Sequence, residues 1–361
     1  MSYLHLGPYS DWPAWSEAVA ARATPPARDR TRQRVHEALA VVDETPADVR
    51  VERTWRLDGI DGEELSWSVG FGPRTHAWLL RPSGSTGPLP GVVALHSHDG
   101  IKFYGKEKIA DAPEPTPPSM AALRTKAYGG EAFANRLCRR GYVVLVPDVF
   151  CWGSRRFPLD AVPEPMRRDG TDEEVAYNET ARDHEHLVEK YCRLLGTTFA
   201  ALVNREDRIA LNYLRSRPEV ADRLGCVGLS GGGCRAAMLQ ATSDVAASVV
   251  VGMMSTYDGL LDRHVAQHTW MFFPADLPTD TDWPDVAACR APSPLLVQYN
   301  RQDPLFDLGA AEAAHARITE HYADAPDGYA GAFYDGPHKF DREMQDDAFA
   351  WLDRKLEAAQ A

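Results

Sequence analysis

The feature that most constrains this chain is a set of short, unbroken apolar runs at residues 91–95, 142–146, 226–229, 247–251 and 295–299. A strand with one face in water alternates apolar and polar side chains, so an unbroken run belongs to a strand covered on both faces, as in a parallel sheet. Stretches of helical pattern at 130–140, 204–215, 233–240 and 309–322 fall among these runs. That is the β-α-β-α order of a doubly wound sheet, and the expected fold class is α/β. Upstream, residues 51–57, 65–69 and 76–80 are β-rich and are separated by Asp58-Gly59, Asp61-Gly62 and Gly72-Pro73. They predict antiparallel strands at one edge of the sheet.

A chain of 361 residues fits one such unit with additions. Residues 1–48 read as an amino-terminal helical extension, because Ala, Arg and Glu dominate from Asp11 to about Ala40 and Pro25-Pro26 divides two short helices. Residues 49–361 form the main domain. Two stretches break its repeat, a proline-rich one at 113–128 and a charged, partly helical one at 153–195. Both are long for plain connections, so 153–195 is expected to be a lid-like insertion.

Composition narrows the function. Basic and acidic residues number 39 and 52, and 39 − 52 gives a net charge of −13, with the acidic residues scattered along the chain. A phosphate-backbone ligand needs a basic face, so nucleic acid is not expected as a partner. No apolar run has the length of a membrane span, and the amino terminus shows no basic stretch followed by an apolar one. The six cysteines form no CxxC pair and read as reduced core thiols. A cytoplasmic protein acting on a small molecule is the expectation, and homo-oligomerisation is compatible with it.

Residues 226–233, Cys-Val-Gly-Leu-Ser-Gly-Gly-Gly, match G-x-S-x-G around Ser230. The pattern is short, and a glycine-rich turn that merely packs a strand on a helix also produces it. Context strengthens it, because an apolar strand runs into the serine and a helix starts after the glycines. A serine on such a tight turn takes a strained backbone with Oγ exposed, and close-packed neighbours on either side must lack Cβ. The helix amino terminus then directs free N–H groups toward a developing oxyanion.

Serine is a poor nucleophile without a base, and the base needs an acid to orient it. Asp303 follows the buried run 294–300 directly, where it reaches the carboxyl edge of the sheet, and it is the expected acid. His338 lies in a turn after a last short strand, 329–333, and before a closing helix; it is the expected base. Ser, Asp and His then occur in the chain order that this kind of elbow uses. Asp307 and Asp335 are rivals for the acid but lie off the strand ends, and His315 and His321 fall in a helical pattern that reads as surface. The second oxyanion amide is expected in the loop after the strand 91–95, from His98, with Asp99 the close alternative to pair with Gly231.

Several blocks in order, Leu95 to Gly100, Arg140 to Asp148, Arg217 to Val220, Asp303-Pro304 and Gly336-Pro337-His338, resemble the α/β-hydrolase superfamily, in its dienelactone hydrolase-like and acetyl xylan esterase-like branch. The resemblance spans residues 89–340. It implies the α/β-hydrolase fold and serine-dependent hydrolysis of a carboxylic ester through an acyl-serine intermediate, with no cofactor and no metal. Ser97 stands where relatives commonly carry glycine, and the insertion 153–195 looks particular to a subgroup. The same triad also serves amide, lactone or carbon–carbon bond hydrolysis, and a fold that only binds a small molecule is the reading from another class.

The remaining candidates carry bland readings as well. His96-Ser97-His98-Asp99 has metal-ligand alternation without further ligands at a recognisable spacing. His264 and His268 lie four apart on a possible helix, a pattern that is usually solvated surface, and His184 and His186 face away from each other. Trp152 and Trp270 follow strands on the presumed active edge, so they are the expected substrate-binding aromatics, although core packing accounts for such residues too.

Overall fold

Alternate residues of the central strands point to different helical layers. Val92, Ala94, Val144, Val146, Val249 and Val251 pack with one layer, whereas Val93, Leu95, Leu145, Cys226, Val250 and Val297 pack with the other. Each fully buried aliphatic side chain contributes about 1.5–3 kcal/mol, so both faces must be covered. This is the physical content of the unbroken runs.

The computed structural model describes residues 3, 5–20, 28–275, 277–279 and 281–356; the Pro25-Pro26 break lies outside them. The strands are β1 (Ala47–Leu57), β2 (Ile60–Ser68), β3 (Thr75–Pro82), β4 (Leu89–Leu95), β5 (Val143–Pro147), β6 (Val220–Leu229), β7 (Ala247–Val251), β8 (Leu295–Asn300) and β9 (Tyr329–Tyr334). They form one sheet in the order β1-β2-β3-β5-β4-β6-β7-β8-β9. The first three strands and β5 pair antiparallel, and every pair from β5 through β9 is parallel. The fold is α/β with antiparallel edge strands, as expected.

The helices are α1 (Trp12–Ala20), α2 (Arg28–Ala38), α3 (Pro118–Ala127), α4 (Phe133–Arg139), α5 (Glu173–Leu194), α6 (Phe199–Arg215), α7 (Gly231–Thr242), α8 (Asp258–Leu261), α9 (Trp283–Ala288), α10 (Leu308–His321) and α11 (Arg342–Leu356). Residues of α3, α4 and α11 build the core on one face of the sheet; α2, α6, α7, α9 and α10 build the other. Val35 and Leu39 of the amino-terminal extension are buried in that second core, and α2 packs on α7 and α9. Within 153–195, three single-turn 3-10 segments precede α5, whose amino terminus is capped by the Asp172 carboxylate accepting from the Val175 amide. Helix α6 starts earlier than its apolar pattern suggests because Thr198 caps it, accepting from the Ala201 amide at 3.0 Å.

All six cysteines are unpaired and buried. No described helix is long and apolar enough to cross a membrane. The helix expected around His264 and His268 is instead a single 3-10 turn, Val265–Gln267. His268 is not solvated surface: its ring packs in a cluster with Phe272 and Phe306, at centroid separations of 4.9 and 4.8 Å.

Candidate active site

Because β4 to β9 run parallel, their carboxyl ends share one rim, and the chain leaving each end carries one part of the site. β6 ends at Leu229 and Ser230 follows with φ 59° and ψ −120°, a conformation L-residues rarely hold. Its N–H donates to the Val251 carbonyl at 2.8 Å, which ties the turn to the end of β7. The elbow glycines are needed for contact. A Cβ on Gly228 would meet the Gly232 backbone at 2.4 Å, and one on Gly232 would meet the Leu95 carbonyl oxygen at 2.2 Å. Ser230 itself is partly exposed.

Asp303 lies just past β8 and His338 just past β9. His338 Nδ1 is 2.6 Å from Asp303 Oδ2, while Asp303 Oδ1 accepts from the Leu305 amide at 2.9 Å. With the carboxylate accepting, the imidazole proton sits on Nδ1 and leaves Nε2 as the basic nitrogen. Nε2 is buried and has no hydrogen-bond partner in the protein. The ring packs on Gly252, where an added Cβ would lie 3.2 Å from His338 Cε1. Gly252 follows Val251, the residue that accepts the Ser230 amide, so the His338 ring and the Ser230 turn both pack at the end of β7. The rivals are occupied elsewhere. Asp307 caps α10, accepting from Ala310 N at 3.0 Å, and Asp335 is exposed 3.6 Å from Arg301. His315 bonds to the Tyr329 hydroxyl at 2.8 Å and His321 to Asp285 at 2.9 Å, so both are partly buried and structural rather than plain surface.

The loop after β4 passes over the elbow. The His98 amide nitrogen lies 2.8 Å from where a Cβ of Gly231 would stand, which puts the two expected oxyanion amides side by side. Asp99 has φ 52°, and its carboxylate accepts from the Ser97 hydroxyl. Ser97 in turn accepts from the Tyr128 hydroxyl at 2.7 Å, which gives the side chain that replaces a glycine a place of its own. Lys108 Nζ donates to the carbonyls of Ser97 at 2.6 Å and His98 at 2.9 Å, and Arg235 donates to the His96 carbonyl at 3.2 Å. Burial pushes the Lys108 ammonium down to about 8, with Asp99 opposing. Arg235 is paired with Asp207 at 2.6 Å, both side chains 1% exposed. These holding residues were not singled out in the sequence. The legible signal is a charge among apolar neighbours: Lys108 before Ile109-Ala110, and Arg235 before Ala236-Ala237-Met238.

Trp152 is 2% exposed and stands behind the loop, edge-on to His98 with ring centroids 5.5 Å apart. Trp270 is partly exposed, and its indole N–H donates to Nδ1 of the exposed His186 at 2.8 Å. His184, on the opposite side of α5, is buried against Phe157. The His96 and His98 rings are engaged with protein groups: His96 Nδ1 is 3.1 Å from the Ser97 carbonyl and His98 Nδ1 accepts from the Gly100 amide at 2.9 Å. Among the described residues no three His, Cys, Asp or Glu side chains gather as a metal-binding group. A groove of about 690 Å³ lies away from this rim, over β1 to β3, lined by residues such as Arg56, Asp61, Glu63, Arg81 and Arg217; its charged groups pair with one another, as Arg217 does with Glu63.

Known proteins share this fold. A family model described as the dienelactone hydrolase family matches residues 126–348. YtaP of Bacillus subtilis (strain 168), named as a hydrolase, is 23% identical over 285 residues, covering 78% of this chain and 83% of YtaP. A Bacteroides fragilis NCTC 9343 protein assigned as an acetyl xylan esterase superposes with a TM-score of 0.66 at 14% identity, covering 85% of this chain and 74% of the other. A glucuronoyl esterase from Solibacter usitatus gives 0.60 at 14% identity, with 91% of each chain covered. Acetyl xylan esterase 1 from Thermoanaerobacterium sp. JW/SL YS485 gives 0.56 at 15% identity, with 92% and 95% covered. At such identities the structural likeness speaks to the fold, which is that of the α/β-hydrolases. With a family match that runs from α3 into α11 and takes in the elbow and both later strand ends, the chain belongs to the dienelactone hydrolase family.

Proposed function

We propose that this hydrolase cleaves carboxylic esters of small molecules, short acyl esters such as acetates among them, through an acyl-serine intermediate. Ser230 Oγ attacks the carbonyl carbon while His338 Nε2 takes the hydroxyl proton, and the carbonyl electron pair moves onto oxygen. The amides of Gly231 and His98 receive that oxyanion. When the carbonyl re-forms, the C–O bond to the alcohol breaks and His338 returns the proton to the leaving oxygen. Water, deprotonated by the same imidazole, then attacks the acyl-serine, and collapse frees the acid and Ser230. Asp303 holds the ring in the tautomer that this cycle needs.

The observation that carries the reading is the 2.6 Å His338–Asp303 contact with the opposite ring nitrogen unpartnered beside the nucleophile's turn. Family membership and the esterase names of the structural relatives favour esters. Trp270 is proposed as a partly exposed wall for the substrate, and Trp152 as the buried support behind His98. The unpaired buried thiols favour a cytoplasmic setting. Ser230→Ala should lower turnover of p-nitrophenyl acetate by on the order of 10⁴-fold or more, with the melting temperature about unchanged. A fluorophosphonate should label the native protein and not the variant. Retained turnover in the alanine variant sinks the assignment, and amide or lactone cleavage that outruns ester cleavage moves the substrate class.

A further inference from the structure

We infer that Glu185, carried by the insertion helix α5, is a positioning residue for the oxyanion side of the site and acts through the ring of His98. The inference rests on the serine esterase reading above. Helix α5 turns a stripe of Tyr177, Ala181, Val188 and Cys192 into the protein, and Glu185 occupies the same buried face. A carboxylate there is costly unless its lone pairs are satisfied.

They are met by two separate segments, the loop after β4 and residues 269–270. Lys102, from the loop after β4, forms an ion pair with Glu185, with side-chain exposures of 4% and 6%. Thr269 Oγ1 donates to Glu185 Oε1 at 2.6 Å and the Trp270 amide donates to the same oxygen at 2.7 Å. His98 Nε2 stands 3.7 Å from Oε2. Burial works against the charge, yet Lys102 and His98 beside it hold the carboxyl well below the usual range. A carboxylate offers about four lone-pair sites; Lys102, Thr269 and the Trp270 amide occupy three of them, and the His98 ring faces the remaining one on Oε2. Glu185 therefore serves the protein and not the substrate.

The His98 ring is thus hydrogen-bonded at one nitrogen and turns the other toward the carboxylate. The Gly100 amide donates to Nδ1 at 2.9 Å, so the proton of the neutral ring is on Nε2, facing Glu185. Trp152 blocks rotation from the side. A ring held this way orients its own backbone, and the His98 amide is the group that stands beside Gly231. The insertion thus contributes a wall of the site whose carboxylate sets the oxyanion loop.

The test compares Glu185→Gln, His98→Ala and the double variant with the native enzyme on p-nitrophenyl acetate, and measures inhibition by phenylboronic acid. The boronic acid adduct on serine carries a negative tetrahedral centre with an oxygen in the oxyanion position. E185Q should lower kcat about 10- to 100-fold, part of what loss of an oxyanion donor costs, and keep KM within about threefold. Boronic acid affinity should fall by the same factor, which a merely structural loss would not produce. Acting through one ring, the double variant should be no slower than H98A alone, since coupled residues are not additive. A kcat for E185Q within twofold of native, unchanged boronic acid affinity, or losses that multiply in the double variant would overturn the inference. If E185Q does not fold, H98A decides, because native kcat there removes the ring from the mechanism. Activity surviving in S230A is a separate result that removes the serine reading itself.

Discussion

Gly252 stands where the ends of β6, β7 and β9 approach one another. An added Cβ would lie 2.9 Å from Leu229 Cδ1 and 3.2 Å from His338 Cε1, and φ is +57°. Gly252→Ala should therefore displace the imidazole and cost about 1–2 kcal/mol from the left-handed backbone alone, read as a lower kcat and a lower melting temperature. At Asp303 the effect should be chemical. In Asp303→Asn the oxygen can keep the Leu305 amide, which leaves an NH₂ facing His338 Nδ1 and drives the ring proton onto Nε2. The base is then in the wrong tautomer, and kcat should fall on the order of 10³- to 10⁴-fold with little change in melting temperature. A variant within tenfold of native would move the acid to another residue. Ser230, Asp303 and His338 could be read as candidates because each lies at or shortly past the end of a strand signal, and Asp303 and His338 do come together. Gly252 could not be, since a glycine after a strand is common and only the packed imidazole shows why this one is required.

Among the elements, α6 and α7 are joined by the buried Asp207–Arg235 pair, and Arg235 extends that link to the His96 carbonyl. Removing one charge leaves the other buried and uncompensated. Asp207→Asn should cost about 3–5 kcal/mol in chemical denaturation, whereas replacing both residues with apolar ones of similar volume should recover much of that loss. Equal destabilisation by the single and double changes would contradict this account. The helices that pack on the sheet were visible from their apolar pattern, and their ends shifted by a few residues where Thr198 or Ser230 set the start. The segment around His264 and His268 was misread for a physical reason. Spacing of four is compatible with a helix, but here the chain turns once and packs His268 on the neighbouring Phe272 and on Phe306 from a distant segment.

At the scale of the molecule, buried neutral imidazoles couple stability to pH. Burial, with His264, His338 and His98 nearby, pushes His268 down to about 4 against the opposing Leu305 carbonyl. Burial, Arg235 and Lys108 hold His96 well below its ordinary value. Between the folded value and the unfolded 6.5 the unfolded chain binds more protons, so stability rises with pH across that window and is lost as pH falls from 6.5 toward 4. The melting temperature should drop over that range. His268→Phe, which suits an aromatic stack, should flatten the slope by about one group's share; an unchanged slope would remove His268 as a contributor.

The order and composition of the chain determined the layered α/β plan, because covering a parallel strand on both faces leaves an unbroken apolar run that local reading detects. They also determined where a nucleophile, an acid and a base could lie, since strand ends are local features. Only tertiary structure decided which charged groups hold the loop after β4 and that the insertion is fastened to it. Lys108, Arg235 and Glu185 take their partners from distant segments, and the free energy of burying a charge depends on those partners rather than on sequence neighbours.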